Sequence, residues 1–192
     1  MVVQCVFWAA LIAVVLAVLV YRSPAGSGIA NAFTAIGLTI PSFALLGIMV
    51  APLGLGVLPS VIALGFYATL PILRNAIVGL AGVDKNLIES AKGMGMGRFR
   101  TLLRVELPVA WPVILAGVRV STQMVMGIGA IAAYVSGPGL GGFIFGGLNH
   151  IGGVNAVNEA LTGVVAVVIL ALVLDGILLL VGRLTIPRGI RA

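Results

Sequence analysis

The residues able to do chemistry are few and unevenly spread. The 192-residue chain holds 11 Lys or Arg, 5 Asp or Glu and one His. The stretch ESAKGMGMGRFRTLLRVELP, Glu89 to Pro108, carries four basic residues, two acidic ones and three alternating glycines. By residue type it can bind phosphate, anionic lipid or another protein. As a phosphate loop it is weak: Arg98 stands where a third glycine would be needed, no Lys-Ser/Thr follows and no strand precedes. Lys92, Arg98, Arg100 and Arg104 suit an anionic lipid surface. A docking element for a cytoplasmic partner and a plain solvated loop remain beside these readings.

The local pattern predicts two short helices with a bend. Asn86 followed by Glu89 suits a helix N-terminus with a capping box. Gly93, Gly95 and Gly97 oppose a continuous helix, at about 1 kcal/mol each relative to alanine. Phe99, Leu102 and Leu103 lie at i, i+3 and i+4 on a second helix over 98–105. Pro108 then marks entry into the next apolar segment, since proline is tolerated in a first helical turn.

The surrounding elements must be membrane spans. The chain is 61% hydrophobic and 8% charged, against about 25% charged residues in a soluble domain. Residues 1–21 and 23–73 hold no charge, and 120–158 hold none apart from His150. Each run reaches the roughly 20 residues a helix needs to cross a bilayer. No alternating segments of barrel type occur. The expected fold is all-α and polytopic, with five spans at about 2–21, 29–50, 59–80, 110–135 and 156–181. The first is a retained span rather than a signal peptide, because no basic residue precedes it. The charged loop, 84–108, lies between spans three and four. Residues 1–181 form a single domain, and 182–192 a basic tail.

Charge sets the expected orientation. Arg22, the six basic residues from Arg74 to Arg104, and Arg183, Arg188 and Arg191 fall on one side, whereas 51–58 and 136–155 hold no Lys or Arg. The positive-inside rule predicts an external N-terminus and a cytoplasmic loop and C-terminus. The net charge of +6 is accounted for in this way, without nucleic acid. Cys5 is the lone cysteine, so no internal disulfide forms. His150 and Glu159 are too few for a metal site, and no cofactor is expected.

The loop resembles the signature of permease subunits of binding-protein-dependent ABC importers: E-A-A, three residues, G, nine residues, I-x-L-P. Here Glu89-Ser90-Ala91 is followed after three residues by Gly95, and after nine more by Val105-Glu106-Leu107-Pro108. Ser90 for Ala and Val105 for Ile are small departures. TIPSFALLGIM, FYATLPILRNAIVGL, ELPVAWPVILAGVR and GPGLGG look like permeases for osmoprotectants such as glycine betaine, choline, carnitine or proline-type solutes. The resemblance implies a bacterial inner-membrane protein that pairs with a second permease copy or homologue. It also implies an ATP-binding cassette subunit below and an extracytoplasmic solute-binding protein above. Glu89 would face the ATPase and cap the coupling helix. Ala91 and Gly95 would permit close approach, and Leu107 and Pro108 would set the angle of span four. The chain has no Walker A sequence, so hydrolysis would come from the partner.

Other residues carry weaker signals. Arg119 and Asp175 fall inside spans, where ionisable residues are costly and often functional. They are expected near the same end of neighbouring spans and able to pair, with Arg183 as the rival partner for Asp175. Quaternary ammonium groups favour aromatic faces, which draws attention to Tyr67 and Tyr134, with Phe66, Trp111 and Phe143. Packing and interface anchoring are the commoner uses of such rings. The competing functions are a permease for another small solute such as an amino acid, a secondary transporter driven by an ion gradient, and a membrane scaffold whose loop recruits a partner. The second should show inverted repeats, and no repeat is visible.

Overall fold

A computed structural model describes residues 1–186, and every regular element among them is helical. Helix α1 (Val2–Val20) is followed by α2 (Pro24–Thr39), α3 (Ser42–Leu53) and α4 (Val57–Ala81). The loop forms α5 (Lys85–Gly93) and α6 (Arg98–Thr101), and a π-turn over Leu102–Glu106 leads into α7 (Leu107–Ile131). A 3₁₀ turn (Ala132–Val135), α8 (Gly141–Asn149) and α9 (Ala156–Thr185) complete the chain.

Four helical runs are long and apolar enough to cross a membrane, and the bent pair α2–α3 makes a fifth if it is one span. The expected straight span at 29–50 is corrected here. The chain starts it earlier and breaks it midway. Ser23 caps α2, accepting from the Gly26 amide at 3.2 Å, and Pro24 occupies the first turn, where its missing N–H costs nothing. Ile40 is then forced into extended backbone (φ −67°, ψ 125°) by Pro41, and α3 leaves at 92° to α2. The connection between α3 and α4 turns at Gly54 and Gly56, both at positive φ.

Helix α4 forms the centre, packed on by α1, α2, α3 and α7. Its residues Ala63, Leu64, Ala68, Leu70 and Ile72 are fully buried. Without water to drive burial, helix pairs in a bilayer rely on small residues and interhelical hydrogen bonds. The α4–α7 seam uses both. Ser121 on α7 donates to the Ala68 carbonyl at 2.6 Å, and Gly117 faces Pro71 and Asn75. A Cβ at position 117 would stand 2.7 Å from the Asn75 Cβ and 3.1 Å from the Pro71 carbonyl. Gly117→Val is expected to push the two helices apart and cost about 1–3 kcal/mol, the usual range for overpacking. Thermal unfolding of the purified protein checks it, and an unchanged midpoint would contradict the seam.

Helix α9 packs on α7 and α8 along one side. Its Val165, Val168, Leu172 and Val173 are exposed, as befits a helix whose other side faces lipid or another apolar surface. It runs on to Thr185, so the expected boundary between span and tail at 181–182 shifts. Arg183 belongs to its last turn. Arg188 and Arg191 lie outside the described residues.

The helix order divides the molecule into two ends. Residues 82–106 and the end of α1 lie at one. At the other, the Gly56 amide bonds the Val135 carbonyl at 2.8 Å, and residues 136–155 follow.

Candidate functional site: a loop that packs on its own spans

The site begins with how α5 is started. The expected cap, Asn86 with Glu89 reaching back, is not what forms. Asp84 takes the N-cap two residues upstream, and its carboxylate accepts from the Asn86 amide at 2.8 Å. An aspartate there satisfies an orphan amide and also places negative charge at the positive end of the helix dipole. Glu89 is thus left free of capping and stands exposed on the helix side.

The end of α5 is fixed by backbone geometry. The Met96 amide bonds the Ala91 carbonyl at 3.0 Å and the Gly95 amide bonds the Lys92 carbonyl at 2.9 Å. Those two bonds, with Gly95 at φ +79°, make a Schellman motif, which favours glycine at that position. A Cβ on Gly95 would meet no atom of this chain within 4 Å. Its identity is therefore set by φ as far as this chain is concerned.

The second short helix does not stop before the span. Residues Arg98–Val135 form one run of 38 residues, where Pro108 was expected to mark entry into a separate span starting near 110. Proline lacks an N–H and its ring clashes with the carbonyl four residues back. The π-turn relieves this: the Leu107 amide reaches back five residues to the Leu102 carbonyl, which widens the helix just ahead of Pro108. Such turns are common at functional sites.

Within this frame the signature residues separate. Glu89 and Ser90 are exposed, Ala91 is 1% exposed, and Val105, Leu107 and Pro108 are half-buried. Ala91 is buried within this chain, and Ile88 beside it packs against the core. The small side chain thus lets α5 lie close on the bundle. An open cavity of about 500 Å³ lies between α5 and the ends of α1 and α4, lined by Arg22, Lys85, Glu89, Lys92, Arg98 and Glu106 among others.

One residue of this site escaped the sequence reading. Glu106 is completely buried and accepts hydrogen bonds from Arg22 Nη2 at 2.8 Å and the Tyr21 hydroxyl at 2.5 Å. Burial, together with the bond to Glu106 and its charge, pushes the Tyr21 phenol up to about 12, so the hydroxyl remains a donor at neutral pH. The available signal was a carboxylate in the variable position of I-x-L-P, beside a predicted span end bearing a lone arginine.

The remaining candidates lie elsewhere. Arg119 grips Asp175 with two parallel bonds, Nε to Oδ1 and Nη2 to Oδ2, both 2.9 Å. The pair joins α7 to α9. Trp111 Nε1 donates to the Thr185 hydroxyl at 2.7 Å, tying the same helices nearer the loop. Tyr67 is 3% exposed, and its hydroxyl donates to the Ile40 carbonyl at the α2–α3 break at 2.5 Å. It thereby satisfies a carbonyl that the break takes out of the helix. Tyr134 is at the opposite end, exposed, with ring centroids of Phe43 and Phe145 at 4.8 and 5.6 Å.

A short helix pinned by an acidic cap and a glycine thus lies across the ends of the apolar spans. Residues 9–187 match the family model described as the binding-protein-dependent transport system inner membrane component. The chain belongs to that family. This inner-membrane component is 40% identical over 181 residues to the glycine betaine/carnitine/choline transport system permease protein OpuCB of Bacillus subtilis, covering 94% of the chain and 82% of the relative. It is 42% identical, with the same coverage, to the choline transport system permease protein OpuBB of Bacillus subtilis. It is 35% identical to the osmoprotectant import permease protein OsmY of Salmonella typhimurium, over 96% of the chain and 77% of the relative. Its fold is similar to a chain of the MetNI methionine ABC transporter in an inward-facing conformation, with a TM-score of 0.80 at 25% identity, covering 96% of this chain and 91% of that one.

Proposed function

We propose that the chain is the permease subunit of an ATP-driven importer for a small compatible solute of the glycine betaine, choline or carnitine type. It forms the pathway together with a second permease, and α5 docks on a separate ATP-binding cassette subunit. The observation that carries this reading is the loop: the signature spacing from Glu89 to Pro108 starts on a short helix that is fixed to the spans on one side and exposed on the other, and runs through its glycine turn into α7. The solute class rests on the names of relatives at 35–42% identity.

The loop end is cytoplasmic in this reading, with the N-terminus and residues 136–155 external. Support comes from charge: Arg22, Arg74, Lys85, Lys92, Arg98, Arg100, Arg104 and Arg183 gather toward the loop end, and the opposite end has no Lys or Arg. A solute-binding protein would dock on that opposite end. ATP binding closes the ATPase pair, α5 is carried with it, and the continuous helix from Arg98 passes the movement into α7. Residues 1–181 act as one transport domain.

The test is uptake of labelled glycine betaine into proteoliposomes holding the permease, its ATPase and its binding protein, with all ion gradients collapsed. ATP-dependent uptake that unlabelled choline or carnitine suppresses is expected. Uptake that needs an ion gradient and no ATP would contradict the importer. Suppression by methionine alone would move the solute class to amino acids.

A further inference from the structure

Glu106 is a carboxylate with no exposed surface, and the signature leaves its position unassigned. It ends the π-turn, at the point where the loop becomes α7. Its two oxygens are held by two residues about eighty positions away, just past the end of α1: Oε1 by Arg22 and Oε2 by Tyr21. Arg22 Nε also donates to the Tyr21 oxygen at 2.5 Å, and the guanidinium lies 5.2 Å from the Tyr21 ring centroid. The three side chains close on one another. Elsewhere α1 meets the bundle through apolar packing on α4 and α7, with Cys5, Ala9, Ala13 and Ala17 as its buried stripe.

The energetics make this arrangement informative. Burying a carboxylate is costly, and an apolar residue of similar volume is often as stable or more so. Fold stability alone therefore gives no reason to put a charge at position 106. What a charge held at two points does add is direction: it fixes distance and angle, whereas a smooth alanine stripe lets helices slide. The clamp sits on the wall of the cavity behind α5, beside the surface that moves.

We infer that Glu106, clamped by Arg22 and Tyr21, is a positioning residue that makes the end of α1 and the coupling loop move as one body. Displacement of α5 then reaches α1 as well as α7. The inference rests on the proposed function and adds a transmission path to it.

A double variant separates this role from simple charge satisfaction. In the reconstituted importer, Glu106→Gln and Arg22→Met each strand the other partner and lower assembly. Arg22→Met/Glu106→Gln removes both charges, so it regains assembly with the ATPase and ATP hydrolysis. Its solute uptake per ATP is expected to stay at least about fivefold below the unaltered protein, the low end of a coupling between sites. Unaltered uptake per ATP in the double variant would overturn the clamp while leaving the importer intact. A double variant that fails to assemble would assign the pair to folding and overturn its coupling role. Unaltered protein that hydrolyses ATP with no uptake would overturn both readings.

Discussion

Gly95→Val is expected to uncouple the transporter, with ATP hydrolysed and little solute moved, while insertion and expression stay normal. An L-residue in left-handed backbone costs about 1–2 kcal/mol, and a β-branched one is worse. Gly95 holds φ +79° between the two bonds that stop α5. One or two kcal/mol shifts an equilibrium by a factor of about 5–30, so the turn opens and α5 loses its fixed pitch. The ranking of substitutions identifies the cause. If φ governs, Asn is better tolerated than Ala, because its side chain eases the left-handed region. If close approach of the ATPase governs, Ala is better tolerated than Asn. Uptake per ATP in the reconstituted complex measures the order, and the geometry predicts Gly, then Asn, Ala and Val.

Arg119→Leu is expected to have the largest effect on folding. It leaves the Asp175 carboxylate without its charged partner within a span, at a cost of about 3 kcal/mol on insertion scales. The double variant Arg119→Leu/Asp175→Leu removes that penalty and regains most of the stability, since a pair is often replaceable by apolar residues even though breaking it is costly. Yield of folded protein after membrane extraction and its thermal midpoint check this. Charge reversal at both positions should also rescue transport in part. Rescue of an Asp175→Arg variant by altering Arg183 instead would contradict the pairing, which in this structure is a two-bond grip from Arg119.

The all-α, multi-span fold and the loop between its spans were legible because they depend on composition, which the bilayer constrains strongly. Helices Val57–Ala81 and Ala156–Thr185 cover the apolar runs at 59–80 and 156–181. The break at Ile40–Pro41 was missed because hydropathy is blind to it: apolar residues continue on both sides, and one X-Pro step carries the signal. The π-turn before Pro108 was missed for a related reason, since a proline can be met either by ending a helix or by widening it. Asp84 displaced Asn86 as the cap although both residue types suit the position. Glu106 shows the limit of reading by neighbourhood. Its partners are distant in the chain, and only the packing of α1 beside the loop brings them together.

On the proposed reading, docking of the ATPase falls on α5. It is tested by site-directed cross-linking in the Cys5→Ser background, which removes the lone native cysteine. One cysteine replaces Ser90, exposed on α5, and in a second variant one replaces Val154, 99% exposed at the opposite end. A cross-linker should join the ATPase subunit to the Ser90→Cys protein, and ATP should change the yield. The Val154→Cys protein should join only the solute-binding protein. Capture of the ATPase at position 154, with none at position 90, would contradict the account.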